Sequence, residues 1–321
     1  WHAQIEAIYQ QDCGLMTPIS LEDFQTTGGR RARSAVARWL FLLASAATVA
    51  VSALIVWTIA SEAWTFGSQV ARDQLQTIGW FPRRGLFDLS TLLVNSAQIS
   101  LIAMFVAVPS GLGAAIYLSE YAHPKVRRVM KPTLELLASV PSVVLGVFAI
   151  SFITPAVLSQ FFDDINFFNK LAAGIGVGLL VIPLIASISE DALRAVPASL
   201  REASAGLGAR KVSTTLRVVI PAAISGLMAA IIVGFSRAIG ETMVVTIASG
   251  GGDTSLFDLS LKESGGTITS AMAALGLGTD QVAGNDLAFQ SLYFLGALLF
   301  LITLVLNIFG NAIVRRMQER Y

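Results

Sequence analysis

Six apolar stretches constrain this chain more than any motif in it. They run from Trp39 to Ala60, Leu92 to Leu118, Thr133 to Leu158, Leu171 to Ser189, Val218 to Ala248 and Ala288 to Ile313, and a helix needs about 20 apolar residues to cross a bilayer. In lipid every backbone amide and carbonyl must find its partner within the protein, so spanning segments are helices or closed barrels. The period-2 alternation of a barrel strand is absent. The expected fold is therefore all-α, a polytopic membrane helical bundle with six transmembrane helices. Composition agrees: 54% of the 321 residues are hydrophobic and 13% are charged, against about 25% charged in a soluble domain. Several spans also carry Pro or Gly (Pro109, Gly111 and Gly113; Pro141 and Gly146; Gly174, Gly176 and Pro183), which kink helices and let neighbours approach closely.

The polar residues exclude several function classes. Cys13 is the single cysteine, so no internal disulfide framework exists, and His2 and His123 cannot make a histidine-rich metal site. A net charge of +1 gives no global basic field for nucleic acid. No Gly-x-x-x-x-Gly-Lys-Ser/Thr loop is present, so ATP hydrolysis, if it drives this chain, belongs to a partner.

Charge placement gives an orientation. With the first segment inside, the inner side holds Arg30, Arg31, Arg33, Arg38, Lys125, Arg127, Arg128, Lys131, Arg194, Arg201, Arg210, Lys211, Arg217, Arg315, Arg316 and Arg320. The outer side holds Arg72, Arg83, Arg84, Lys170 and Lys262. This positive-inside bias places both termini in the cytoplasm. Residues 1–38 then read as a cytoplasmic N-terminal segment of unknown role, the stretch from Trp1 to Gly29 having neither Lys nor Arg nor a signal-peptide-like apolar run. Residues 39–321 form the membrane domain, with a cytoplasmic loop at about 189–217 and an outer loop at about 250–287. The outer loop is acidic and rich in Gly, Ser and Thr, which suits a solvated or partner-facing segment.

One basic residue lies inside a span. Arg237 sits in the run Ser236-Arg237-Ala238-Ile239-Gly240-Glu241-Thr242, with Glu241 four residues on and so on the same face of a continuous helix. Burying Arg near mid-membrane costs about 2.5–3.5 kcal/mol on insertion scales, and intramembrane charges mark pathways. Arg before Glu is the weaker order for a helix pair, so helix stability does not account for them. A guanidinium fork suits oxyanions, phosphate above all, and Glu241 can hold it between substrates. Ser236, Thr242 and Glu135 are candidates for supporting the pathway, Glu135 lying near an interface where a solvated position is also open to it. The competing reading is a private ion pair that serves structure alone.

The inner loop reads Pro197-Ala198-Ser199-Leu200-Arg201-Glu202-Ala203-Ser204-Ala205-Gly206-Leu207-Gly208, which predicts a short helix whose small residues leave a shallow surface for a partner's groove. Glu202-Ala203-Ser204, then Gly208, then Val218, Ile220 and Pro221, resemble the EAA loop of ABC importer permeases: Glu-Ala-Ala, three residues, Gly, nine residues, Ile-x-Leu-Pro. Ser204 stands for the second Ala, and Val218 and Ile220 for Ile and Leu. Ser236 to Met243 resembles the Gly-Arg-Ala-x-Gly-Glu-Thr signature of the phosphate-specific Pst permeases, nearer to the PstC than the PstA type. Leu118-Ser119-Glu120-Tyr121, the run Glu135 to Gly146 and the run Leu301 to Ile308 look like the same family, so the likeness covers about Leu92 to Tyr321.

That resemblance implies the ABC importer type I permease fold in a bacterial inner membrane. It also implies a non-catalytic subunit that forms half of a phosphate pathway. The expected partners are a PstA-like second permease, two PstB-like ATPase subunits holding ATP and Mg, and a periplasmic PstS-like phosphate-binding protein. It assigns Glu202, Ala203, Ser204, Gly208 and Pro221 to ATPase coupling, and Arg237 and Glu241 to the anion. Alternatives are a permease for molybdate, sulfate or phosphonate, an ion-coupled carrier or channel, and a structural membrane subunit.

Overall fold

A computed structural model describes residues 28–75, 79–251, 255–277 and 286–318. Both chain termini, and with them the sequence-based reading of their side, lie outside the described residues. The chain divides into two compact units, Trp1–Thr58 and Ile59–Tyr321. In the first, the described residues are helical and belong to α1 (Gly28–Gln69).

The second unit holds the rest of α1 and everything after it. A hairpin, β1 (Gly79–Phe81) and β2 (Leu86–Phe87), leads into α2 (Leu89–Ile116). Asp88 starts α2, its carboxylate accepting from Ser90 N at 3.0 Å and from Thr91 Oγ1 at 2.6 Å. α3 (Pro124–Ala138) and α4 (Ser142–Phe148) follow, the latter continuing through a π-helical stretch, Ala149–Val157. Next comes α5 (Lys170–Ala195), capped by Asn169, whose Oδ1 accepts from Ala172 N at 2.7 Å. Two short helices, α6 (Ala198–Gly206) and α7 (Lys211–Thr214), precede α8 (Ile220–Ile239) and α9 (Met243–Ser249). Strands β3 (Gly250–Gly251), β4 (Ser255–Leu256) and β5 (Gly265–Gly266) come before α10 (Ile268–Leu277) and α11 (Asp286–Gln318).

Among the described residues six helical segments are long and apolar enough to cross a membrane: Ala35–Gln69, Leu89–Tyr121, Ser142–Gln160, Lys170–Ala195, Lys211–Ile239 and Leu287–Arg316. The all-α bundle and its six spans stand, but two boundaries move. The third expected span, Thr133 to Leu158, is not one helix: the chain turns at Ser139-Val140-Pro141, and the spanning part begins at Ser142. Pro141 has no N–H to give and disfavours helical backbone before it, which ends α3. The fifth, Val218 to Ala248, breaks at Gly240-Glu241-Thr242.

Close packing centres on α2 and α5. A Cβ at Gly174 would lie 2.6 Å from Ile102 Cβ, and one at Gly178 would lie 2.9 Å from Val106 Cβ; only hydrogen there permits the contact. Ile99, Ala103 and Ala107 on α2 and Ala173, Val177 and Val181 on α5 make the buried centre. The loops gather at two opposite ends of α5. Near Lys170, the β2-β1-β4 sheet and the parallel β3–β5 pair collect residues 79–87, 250–251 and 255–266. This sheet end has its own core of Phe66, Trp80, Phe87, Ile268, Leu275 and Leu295. The expected solvated outer loop is therefore folded in part: β5 and half of α10, Ile268 to Ala271 and Leu275, are buried. Lys170 is buried too, its Nζ donating to Asn95 Oδ1 at 3.1 Å and Asp258 O at 2.6 Å. At the other end, near Ala195, lies the α6 loop.

Candidate functional site in the fifth span and the α6 loop

Depth comes from packing. A Cβ at Gly234 would sit 2.8 Å from Ile185 Cγ1 and 3.2 Å from Val181 Cγ1, close to the midpoint of the 26-residue α5. Arg237, three residues further on, is displaced by about 4.5 Å at 1.5 Å per residue. The guanidinium thus belongs to the middle of the bundle.

The local backbone explains why Arg precedes Glu. α8 stops at Ile239, with Gly240 as its C-cap, and α9 starts at Met243. Arg237 occupies the last turn of α8, where carbonyls concentrate negative partial charge, and Glu241 precedes α9, where amides concentrate positive. Glu241 Oε1 accepts from Val244 N at 3.4 Å. The two side chains approach to 3.7 Å, Nη2 to Oε2, with Glu241 5% and Arg237 55% exposed. That is an ion-pair distance beyond hydrogen-bonding range. The expected shared face of one continuous helix is corrected: the pair straddles a break. Thr269 on α10 holds the break, its Oγ1 donating to Glu241 O at 2.8 Å.

In the loop, Arg201 is the most connected side chain. Its Nη1 donates to Val196 O at 2.6 Å, its Nη2 to Leu193 O at 2.8 Å and to Glu120 Oε1 at 2.9 Å. One guanidinium thus joins α6, the last carbonyls around the end of α5 and the π-helical turn that follows α2, Tyr117–Tyr121. Gly208 has φ +77, a left-handed conformation that favours glycine. Gly208 N bonds Ala205 O at 2.9 Å and Ala209 N bonds Ser204 O at 3.2 Å, the paired bonds of a Schellman stop. That stop leaves Leu207 90% exposed. Pro221 lies at the start of α8, after a π-helical turn, Thr215–Val219, in which Ile220 N reaches back to Thr215 O. The wider turn relaxes the backbone just before a residue that cannot donate.

Residues 107–320 match the family described as "Binding-protein-dependent transport system inner membrane component". The chain belongs to this family. As a binding-protein-dependent permease component it is 32% identical over 198 residues to the "Probable ABC transporter permease protein YqgH" of Bacillus subtilis, covering 61% of this chain and 63% of that one. It is 31% identical over 278 residues to the phosphate transport system permease protein PstC of Mesorhizobium japonicum, covering 80% of this chain and 82% of that one. Among solved structures, a bacterial alginate ABC transporter in complex with a pentasaccharide-bound periplasmic protein superposes with a TM-score of 0.62 at 15% identity, over 89% of this chain and 97% of that one. The fold is that of ABC importer permeases.

Of the residues singled out in this permease from sequence, Arg237, Glu241, Ser236 and Thr242 cluster at the break. Ser236 Oγ donates to Asn307 Oδ1 on α11 at 3.4 Å, and Thr242 O accepts from Thr246 Oγ1 at 2.7 Å. Glu135 does not join them: it is exposed on α3, beside Arg127, Arg128, Lys131 and Arg194 at the α6 end. Glu202 and Ala203 are exposed on α6, while Ser204, where the family pattern has Ala, meets Thr214 Oγ1 at 2.8 Å. Sequence reading gave no role to Arg201, Leu207 or Thr269. Glu120 and Asn307 lie in runs that resemble the family, but their partners are distant in sequence.

Proposed function

We infer that this chain is the membrane-spanning permease subunit of an ATP-driven phosphate importer, forming half of the pathway and coupling it to ATPase subunits. The observation that carries the reading is Arg237: a half-exposed guanidinium at mid-bundle, held loosely by a buried Glu241, in a chain related to phosphate permeases of the PstC type. Arg237 meets the anion as it passes, and Glu241 keeps the fork in place when no anion is there. Ser236 and Thr242 fix the helix ends that present the pair. A site with one loose cation binds weakly enough to release its anion, as conduction requires.

Coupling belongs to Glu202, Ala203, Ser204, Gly208 and Pro221, with Arg201 joining α6 to α5 and Leu207 projecting toward the ATPase groove. The importer is completed by a PstA-like second permease, two PstB-like ATPase subunits that bind ATP and Mg, and a periplasmic PstS-like phosphate-binding protein. The α6 end faces the cytoplasm, because it carries Arg127, Arg128, Lys131, Arg194, Arg201 and Lys211, whereas the sheet end carries Arg83, Arg84, Lys170 and Lys262.

The test is binding-protein-dependent, ATP-driven phosphate uptake into liposomes holding the full complex, with native Arg237 and with Arg237→Gln, assembly being checked in both. Uptake lost only in the assembled variant supports the pathway role. Uptake unchanged reduces Arg237 to a structural charge, and no phosphate uptake by the native complex overturns the substrate.

A further inference from the structure

A second cluster of charge, at the α6 end, orients the chain in the transport reading but has no part there in the pathway or in coupling. Between α3, the turn after α2 and the end of α5 lies a cavity of about 690 Å³ whose charged wall is Arg127, Arg128, Lys131, Glu135 and Arg194. That volume falls within the range of small-ligand sites, about 300–1,000 Å³.

Part of this charge is already matched. Glu190, 1% exposed, pairs with Arg127 and, at 3.6 Å, with Lys131; Asp191 pairs with Lys131 at 3.2 Å. Arg128 and Arg194 have no ion-pair partner among the described residues. Glu135 is the one wall carboxylate. Taken with Glu190 and Asp191, the charges leave a surplus of one cation, carried on two unmatched guanidinium forks.

The helix that builds the wall is turned the opposite way from an amphipathic helix on a soluble protein. Val126, Val129, Met130, Leu136 and Leu137 of α3 are exposed, while Arg127, Arg128 and Lys131 face the cavity. An outward apolar face of this kind rests against hydrocarbon or another apolar surface, with its cations at headgroup level. Basic pockets between spanning helices at that level suit phosphate-bearing headgroups.

We propose that this cavity binds a phosphate group, from an anionic phospholipid headgroup or from inorganic phosphate, between Arg128 and Arg194. Guanidinium forks match the geometry of phosphate oxygens. A surplus of one positive charge suits a singly charged phosphodiester better than inorganic phosphate, which is in part a dianion at neutral pH. The site is separate from Arg237, so the proposal does not depend on the pathway reading.

The experiment uses the assembled transporter carrying Arg237→Gln, which silences the pathway site, stripped of lipid in neutral detergent. Retention of added dioleoylphosphatidylglycerol is read by native mass spectrometry, and radiolabelled inorganic phosphate by equilibrium dialysis. Both are compared with the same complex carrying Arg128→Gln and Arg194→Gln, and with one carrying Glu135→Gln. Loss of a charge-assisted contact is expected to weaken binding by about tenfold or more, and Glu135→Gln to strengthen it. Lipid bound and then lost in the double variant assigns the site to a headgroup; phosphate bound and lost assigns it to the free ion. Binding of neither probe, or the same binding in all three proteins, overturns the proposal.

Discussion

Two Arg–Glu pairs in this chain have the same composition and opposite designs. Arg201 lies in a socket: it makes bonds of 2.6, 2.8 and 2.9 Å to two backbone carbonyls and Glu120, with Arg201 27% and Glu120 7% exposed. Arg237 rests 3.7 Å from Glu241 and stays 55% exposed. In the first pair both charges are consumed by structure. In the second only the carboxylate is buried and oriented, so the guanidinium keeps donors for something else. The chemistry of the pair does not decide its use; the number of acceptors the fold places around the guanidinium does.

The sharpest way to break this contrast is Arg201→Ala. It strands a buried Glu120 and two carbonyls, and losing one partner of a buried pair costs about 3–5 kcal/mol; exposure of Arg201 brings the expectation down to about 2–3 kcal/mol. A thermal or denaturant midpoint of the assembled complex measures it, and pairing with Glu120→Ala in a double-mutant cycle should return a coupling of about 1 kcal/mol or more. A cycle with no coupling would remove the distinction between the two pairs. Arg237→Lys is the counterpart: the charge stays and the fork goes, so phosphate uptake should fall by about tenfold with the midpoint unchanged. A large drop in midpoint would make Arg237 a second structural anchor.

Smaller effects sharpen the account of the anchored end. Gly208→Ala forces a Cβ into left-handed backbone and should cost about 1–2 kcal/mol, read as weaker coupling of ATP hydrolysis to uptake. Ser204→Ala removes one hydroxyl contact and should cost under about 1 kcal/mol, since the serine was an addition to a pattern that works with alanine. At the sheet end, the hydrogen bond from Lys262 holds the Asp164 carboxyl below its ordinary range. Its stabilising effect is present above the unfolded value and is lost as pH falls through the folded one. Lys262→Ala should therefore raise the Asp164 titration seen by NMR and lower the midpoint at neutral pH only slightly, because Asp164 is exposed and its pair is screened by solvent.

Much of this architecture is legible in the sequence because lipid makes length and apolarity nearly sufficient. The six spans follow from that, as does the isolation of Arg237 within one of them. The breaks do not follow, because apolar residues resume after Ser139-Val140-Pro141 and after Gly240-Glu241-Thr242, and hydropathy averages across both. Of the two positions the sequence leaves open for Glu135, the structure has the solvated one: a helix that ends at Ala138 leaves it exposed on the α6 side of the break. The burial of α10 was hidden by the Gly, Ser and Thr around it, whose hydroxyls are satisfied inside: Ser96 Oγ accepts from Ile268 N at 3.1 Å and Thr269 reaches Glu241. The anchoring of Arg201 is not legible in the sequence because Glu120 lies 81 positions away, a separation at which only the fold can introduce two residues.

The contact at Gly234 carries a mechanical consequence. Without a side chain there, α8 lies against Val181 and Ile185 with no cushion between them, while Arg201 grips the far end of α5 near Leu193 and Val196. The stretch between is a stiff arm about 20 Å long at 1.5 Å per residue, and a tilt of about 10° at one end displaces the other by roughly 3–4 Å. Pro183, whose missing N–H leaves one rung of the arm open, is the place where such a stroke would be absorbed. The arm delivers its motion to the middle of the membrane only while that joint stays straight.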